Sequence, residues 1–355
     1  MVGRNVAALG VIMKTTAMTA MAQNMSFGAD NFYVSNNVTV TPITFRNQLR
    51  MTIAGNLFIP NKLDRSSNAS AIVVGPPFSA VKEQTANLYA TKLAEQGFVT
   101  VSIDPAFWGA SDGEPRGAVL PDLYAESFSA AVDYLTLQDY VDRERIGVLG
   151  ICGSGSWAIS AAKIDTRMKA LATVSMYDMG AATRDGMRNA ITFQQRQATI
   201  TAETQQRQFE VDNRGTPYTG DTSQEETENA TEIEREFLDF YGTPRGEYPP
   251  RGAAFNVTTY PALSSSIRFM NYWPLNGIDI IQPRPVMFVA GTQAHSREFA
   301  EDAFFLAGYP KELVWVENAG HVDLYDRTEL IPFQRLANFF HDSLAAANGT
   351  VGSRR

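Results

Sequence analysis

Short apolar runs alternate with helical patterns along most of this chain. Val38 to Phe45 and Met51 to Ile59 alternate apolar and polar positions and are rich in Thr, Val and Ile, which predicts a pair of strands. Ala71 to Val74 is instead a short continuous apolar run, the pattern of a strand covered on both faces of a parallel sheet. A helix is predicted over Glu83 to Gln96, with Leu88, Ala90, Leu93 and Ala94 on its apolar side and Gly97 closing it. The same alternation continues with a strand at Phe98 to Ile103, a helix at Leu120 to Gln138, a strand at Ile146 to Leu149, a helix at Ser156 to Lys163 and a strand at Ala170 to Ser175. It resumes with a strand at Pro285 to Ala290, a helix at Phe299 to Ala307, a strand at Leu313 to Val316 and a terminal helix at Pro332 to Ala346. Strands and helices in this order imply right-handed crossovers, hence an α/β fold with a doubly wound, mostly parallel sheet.

Between Thr183 and Pro283 no buried strand is evident. Gln194 to Glu210 and Thr231 to Tyr241 read as polar amphipathic helices, separated by a Gly, Thr, Ser and Glu-rich stretch around Asp212 to Thr227. A long insertion beyond the carboxyl ends of such strands is expected to be a helical lid over a pocket, the plainer reading being a solvated excursion. The expected organisation is an N-terminal extension at 1–37, a core at 38–182 and 284–347, the lid at 183–283 and a tail at 348–355.

Composition narrows the function. With 44% hydrophobic and 19% charged residues a sizeable core can form, and a formal charge of -8 without a basic stripe argues against nucleic-acid binding. No stretch reaches the roughly 18 apolar residues of a spanning helix. Arg4, the apolar run Val6 to Met13 and Ala20-Met21-Ala22 faintly resemble a signal peptide, but Lys14 interrupts it. The chain is therefore expected to be cytoplasmic, with secretion or a periplasmic location as the alternative. The sequons at Asn24, Asn37, Asn68, Asn229, Asn256 and Asn348 matter only for an exported chain.

The one cysteine excludes an internal disulfide, and its neighbours give it another role. Gly150-Ile151-Cys152-Gly153-Ser154-Gly155 stands between a predicted strand and a helix. A nucleophile at so tight a turn needs small residues on either side, which Gly150, Ser154 and Gly155 supply. A helix N-terminus and a nearby imidazole favour a thiolate there. Ser154 is the rival nucleophile, placed two residues too far from the strand. Of the three histidines, His321 follows the last predicted strand, where the base is expected. His295 follows another strand end and is expected to line the pocket, while His341 lies beside Phe339 and Phe340 and reads as structural. The strand ending at Ala290 is followed by Gly291-Thr292-Gln293-Ala294, without an acid. Asp178, beyond the strand Ala170 to Ser175, is the acid expected, with Glu298 as the alternative and Glu301 near it. An oxyanion hole is expected from the amide of Gly153 and one of Phe78 or Ser79, since Pro76 and Pro77 have no N–H.

These stretches, with Val81-Lys82-Glu83-Gln84-Thr85, Met176-Tyr177-Asp178-Met179-Gly180, Ala294-His295-Ser296-Arg297 and Gly320-His321-Val322-Asp323-Leu324-Tyr325, resemble a dienelactone-hydrolase-like group of the α/β-hydrolase superfamily. The group includes fungal polyketide transferases and thioesterases and uncharacterised bacterial members. The resemblance runs over roughly residues 40–340 and implies an α/β-hydrolase fold with a Cys-His-acid triad, here Cys152, His321 and Asp178. The chain departs from it at Pro76, where many relatives carry a His. The activity expected is cleavage of a carboxylic ester, lactone or thioester through an acyl-thioenzyme. The alternatives are acyl transfer to an alcohol acceptor, and a binding protein or cyclase on the same fold. Trp108, Met176, Tyr177, Phe269, Tyr272 and Trp273, with Phe78, are expected to line a pocket for a hydrophobic acyl group, free or carrier-bound. No metal or cofactor is expected, and the partners considered are that small-molecule substrate and a second copy of the chain in a homodimer.

Overall fold

The computed structural model describes residues 29–66, 68–218, 230–248 and 259–345. The signal-like start, the tail at 348–355 and the sequons at Asn24, Asn229, Asn256 and Asn348 lie outside these residues. Strands β1 (Val38–Arg46) and β2 (Thr52–Pro60) form an antiparallel hairpin with Val38 opposite Pro60. Then follow β3 (Ala69–Gly75), α1 (Ala86–Glu95), β4 (Val99–Ile103), α2 (Pro121–Thr136), β5 (Val141–Ile151), α3 (Gly153–Ile164) and β6 (Met168–Val174). The chain next passes through α4 (Met179–Arg184), α5 (Phe193–Asn213), α6 (Glu232–Tyr241) and 3-10 turns at Leu263–Asn271 and Ile278–Ile281. It returns with β7 (Val286–Gly291), α7 (Arg297–Leu306), β8 (Lys311–Val316), α8 (Asp323–Asp326) and α9 (Phe333–Ser343).

The eight strands form one sheet in the order β1-β2-β4-β3-β5-β6-β7-β8. β2 meets β4 antiparallel and every pairing from β4 to β8 is parallel, so the doubly wound, mostly parallel sheet is as expected. Apolar layers cover both faces. One gathers Phe128, Trp157 and Phe288 under α2 and α3, the other Tyr89, Phe340 and Tyr325 under α1 and α9. This two-sided burial is why β3 reads as a continuous apolar run rather than an alternation.

Asp104, just past β4, is fully buried. It accepts from Lys82 N at 2.7 Å, Lys82 Nζ at 2.8 Å and Ala110 N at 2.9 Å. The Lys82-Glu83 stretch of the sequence therefore serves to tie down the loop after β3, which carries Phe78.

Within 183–283 the helix α6 docks on the end of the sheet. Thr231 and Glu234 close a capping box at its start, an arrangement whose cap stabilises a helix by about 1 kcal/mol. Ile233, Phe237, Phe240 and Tyr241 then fall on one face at helical spacing, and Phe240 and Tyr241 are buried. After it, Arg245 grips the buried Asp326, with Nη2 at 2.7 Å and Nε at 2.9 and 3.0 Å, and also pairs with Asp239. Arg245→Met leaves the Asp326 carboxylate buried without its counter-charge. We expect it to weaken docking by about 3 kcal/mol, read as a lower urea midpoint and faster limited proteolysis within 183–283. Unchanged resistance on both measures would remove this anchor.

Candidate active site

The turn from β5 into α3 forces Cys152 to φ 52° and ψ -121°, a strained conformation for a residue with a Cβ. Gly150 permits it: a Cβ there would lie 2.2 Å from the Ser154 carbonyl oxygen. The strain aims Sγ away from the sheet into a cavity of about 220 Å³ lined by Phe78, Ser79, Cys152, Tyr177, Met179, Phe237, Tyr241 and Tyr325. The backbone amides of Gly153 and Phe78 and the Tyr325 hydroxyl lie beside the sulfur and favour its ionised form. Gly153 allows the loop this close, since a Cβ would stand 2.8 Å from Phe78 Cβ. Ser154, the rival nucleophile, is turned away and donates its hydroxyl to the Pro76 carbonyl.

His321 is brought to the cavity by the loop after β8, pinned where Ser175 Oγ donates to the His321 carbonyl at 2.9 Å. Its imidazole is fully buried, with Nε2 3.0 Å from the Tyr325 hydroxyl and Nδ1 2.5 Å from Ser296 Oγ. A chain of contacts thus runs from Cys152 Sγ through Tyr325 to His321 and on to Ser296. His321 and Tyr325 are four residues apart across the turn of α8, which puts both side chains on one side. Burial pushes the Cys152 thiol up to about 11, against the smaller favourable effect of Tyr325 and the two amides. Burial, and then the neighbouring His295, hold His321 well below the ordinary histidine value. Both shifts run against the thiolate-imidazolium pair expected from the sequence and favour the neutral thiol and imidazole, because burial desolvates both charges.

The triad acid is corrected as well. Asp178 caps α4, where Oδ1 accepts from Ala181 N at 2.8 Å, and it is a serine, Ser296, that bonds His321. Glu298 accepts instead from Arg188 N at 2.8 and 3.0 Å, and Glu301 pairs with Arg297 at 2.7 Å. Ser296 follows β7, where the fold would place its acid, so the absence of a carboxylate in Ala294-His295-Ser296-Arg297 was a usable signal. His295 lies beside His321, with ring centroids 4.7 Å apart. His341 packs on Phe98 at 4.3 Å and is structural.

Of the residues expected to line the pocket, Phe78 and Tyr177 do so. Phe269 and Trp108 stand behind Phe78, edge-on at 5.2 and 5.7 Å, and Trp108 donates to Tyr124 at 3.0 Å. Met176 is core, and Tyr272 donates to the Ser156 carbonyl at 2.8 Å. Trp273 is 50% exposed and carries the Arg184 guanidinium 3.2 Å from its ring centre. These were misplaced because aromatic residues near a pocket in sequence serve equally well as the wall behind it.

The PET hydrolase-like family PETase matches residues 46–208. The uncharacterized protein PA2218 of Pseudomonas aeruginosa is 42% identical over 313 residues, 88% of this chain and 83% of that protein. Its crystal structure superposes with a TM-score of 0.84 at 40% identity, over 89% of this chain and 97% of that one. The uncharacterized protein YcjY of Escherichia coli K12 is 33% identical over 304 residues, 85% of this chain and 97% of that protein. The alpha/beta hydrolase GrgF of Penicillium sp. sh18 shares the fold, with a TM-score of 0.70 and 23% identity over 87% of this chain and 100% of that one. This chain is an α/β hydrolase. Within that superfamily it belongs with PA2218 and YcjY. Among the described residues of this hydrolase no helix is long and apolar enough to cross a membrane.

Proposed function

We propose that the hydrolase cleaves a carboxylic ester, lactone or thioester with a small acyl group through an acyl-thioenzyme on Cys152. The observation that carries this reading is that the Gly153 and Phe78 backbones adjoin one another beside Cys152, where their amides can receive the charge that a carbonyl oxygen gains as the sulfur attacks. With Nδ1–H donating to Ser296 Oγ, Nε2 of His321 is left as an acceptor. The thiol proton passes to the Tyr325 oxygen as the Tyr325 proton passes to Nε2, while sulfur bonds the carbonyl carbon. The two amides hold the oxyanion, and the imidazolium returns its proton through Tyr325 to the leaving alkoxide or thiolate. Water or an alcohol then gives its proton to His321 by the same route and takes the acyl group, restoring the thiol.

The cavity is smaller than the roughly 300–1,000 Å³ of sites for drug-sized ligands, which favours a short acyl chain over the larger hydrophobic group expected earlier. Within 183–283 it is α6 that acts as the lid, laying Phe237 and Tyr241 over the cavity. One observation favours transfer as the second reading: Cys152 is only 5% exposed, so bulk water is held away from the thioester. GrgF is also named a polyketide transferase, 30% identical to this chain over 125 residues, 35% of this chain and 41% of that one. Product partitioning from a chromogenic short-chain ester tests the two. A hydrolase keeps releasing free acid as an alcohol acceptor is added, whereas a transferase diverts most of the acyl group to the new ester. Absence of any cleavage across esters, lactones and thioesters would sink both.

A further inference from the structure

The core of this enzyme presents no carboxylate to the base it depends on, yet a carboxylate reaches the site from the insertion. Glu236, on α6, places Oε2 3.0 Å from His295 Nδ1, while Oε1 accepts from the Val322 amide at 2.7 Å. His295 in turn stacks beside His321, 4.7 Å between ring centroids and 36° between planes. We propose that Glu236 is the acidic member of the catalytic constellation, a positioning residue that reaches His321 through His295 and is in place only while α6 is docked. The proposal rests on His321 being the base of the reaction above.

The physical argument begins with charge. When His321 takes the thiol proton it becomes an imidazolium in a buried site, and Ser296, its neighbour on Nδ1, is neutral. A negative charge close by stabilises that ion. Glu236 already acts electrostatically across the site: after burial and other neighbours, its charge is among the causes holding the Cys152 thiol and the Tyr177 and Tyr325 hydroxyls above their ordinary values. Through Nδ1 the His295 ring is held by the carboxylate beside the ring of His321. Its Nε2 is buried without a partner among the described residues, so the ring orientation is set by Glu236 rather than by a second anchor.

The position of Glu236 also links access to chemistry. With α6 lifted, the cavity opens to substrate but the counter-charge leaves with the helix and the Val322 amide, next to His321, loses its acceptor. Redocking seals the cavity and restores both. The docked state has further ties at Arg245 with Asp326 and Asp239, so Glu236 does not hold the helix alone.

The groups around His321 that bear on its titration come from every packed element. They are Cys152 at the elbow, Tyr177 after β6, His295 and Glu298 around the start of α7, and Glu236 and Tyr241 on α6. Asp323, Tyr325 and Asp326 on α8, with Arg245, complete the set. Glu298, Asp323 and Asp326 have partners of their own in Arg188, Arg327 and Arg245.

Glu236→Gln keeps both hydrogen bonds in shape, with the amide oxygen toward Val322 and the amide nitrogen toward His295, and removes only the charge. Hydrolysis of preformed acyl-enzyme in a single turnover should then be measured across pH with the full chain. The acid limb, where His321 becomes protonated and fails as a base, is expected to move down by about one pH unit, with KM for the ester within about twofold. Glu236→Asp, which retains the charge on a shorter stem, should keep the limb near its parent position even if docking weakens. A limb that stays put in Glu236→Gln, or a uniform loss of rate in both variants, overturns the proposal and leaves Glu236 a docking residue. NMR titration of the His321 ring in Cys152→Ala, with and without Glu236→Gln, reads the same charge without the nucleophile. A shift there sustains the proposal even if another residue carries the acyl group, and no shift defeats it even if Cys152 is the nucleophile.

Discussion

Cys152→Ala is expected to lower ester or thioester cleavage by about a thousandfold or more while leaving the fold intact. The substitution removes one sulfur from a cavity wall, and the alanine occupies the same positive-φ turn. The first two serines of α3 are not placed to replace the thiol. Ser154 donates to the Pro76 carbonyl and Ser156 to the Tyr177 carbonyl. The check is a chromogenic short-chain ester assay beside intact-mass labelling with iodoacetamide. Labelling should be slow at neutral pH, because burial holds the thiol up at about 11, and should accelerate as pH rises. A variant that keeps a tenth or more of the parent activity would end the nucleophile assignment.

The second large effect is expected from Tyr325→Phe. The ring packs against Phe240 at 5.2 Å and sits in a buried layer, so the phenylalanine preserves the packing and deletes one hydroxyl. That hydroxyl is the link between Sγ and Nε2 of His321. Without it the thiol loses a hydrogen bond that favours its ionised form, and the base loses its route to the proton. We expect kcat to fall about a hundredfold, with KM nearly unchanged, because binding of the acyl group does not use this oxygen. Alkylation of Cys152 at a fixed alkaline pH should slow as well. Full activity in Tyr325→Phe would mean that His321 acts on the sulfur directly and that Tyr325 is a spectator.

The strands and helices of the core were legible because burial leaves a period in the sequence. β3 is covered on both faces and reads as an unbroken apolar run over Ala71 to Val74, and α1 and α9 show the stripe of a helix packed on a sheet. Edges were less legible. β5 begins at Val141, five residues before its predicted start, since its first half carries charged residues that an exposed strand end tolerates. The α6 helix was visible in the sequence from its Thr231 cap and its aromatic stripe, but its landing place was not.

By itself the sequence determined the doubly wound sheet, the tight elbow that carries Cys152, and the place of His321 after the last strand. Those features depend on residues close together in the chain, where spacing translates directly into geometry. Tertiary structure alone decided which groups meet His321. Ser296 arrives from the end of β7, 25 residues before it, while Glu236, from a helix 85 residues away, meets the neighbouring His295 and the Val322 amide. Nothing in local spacing could favour either of them over Asp178, which the fold uses to cap α4. Burial acts in the same way: a helix N-terminus favours a thiolate, but the residues packed around Cys152, Phe237 and Tyr241 among them, desolvate the sulfur and push the thiol up.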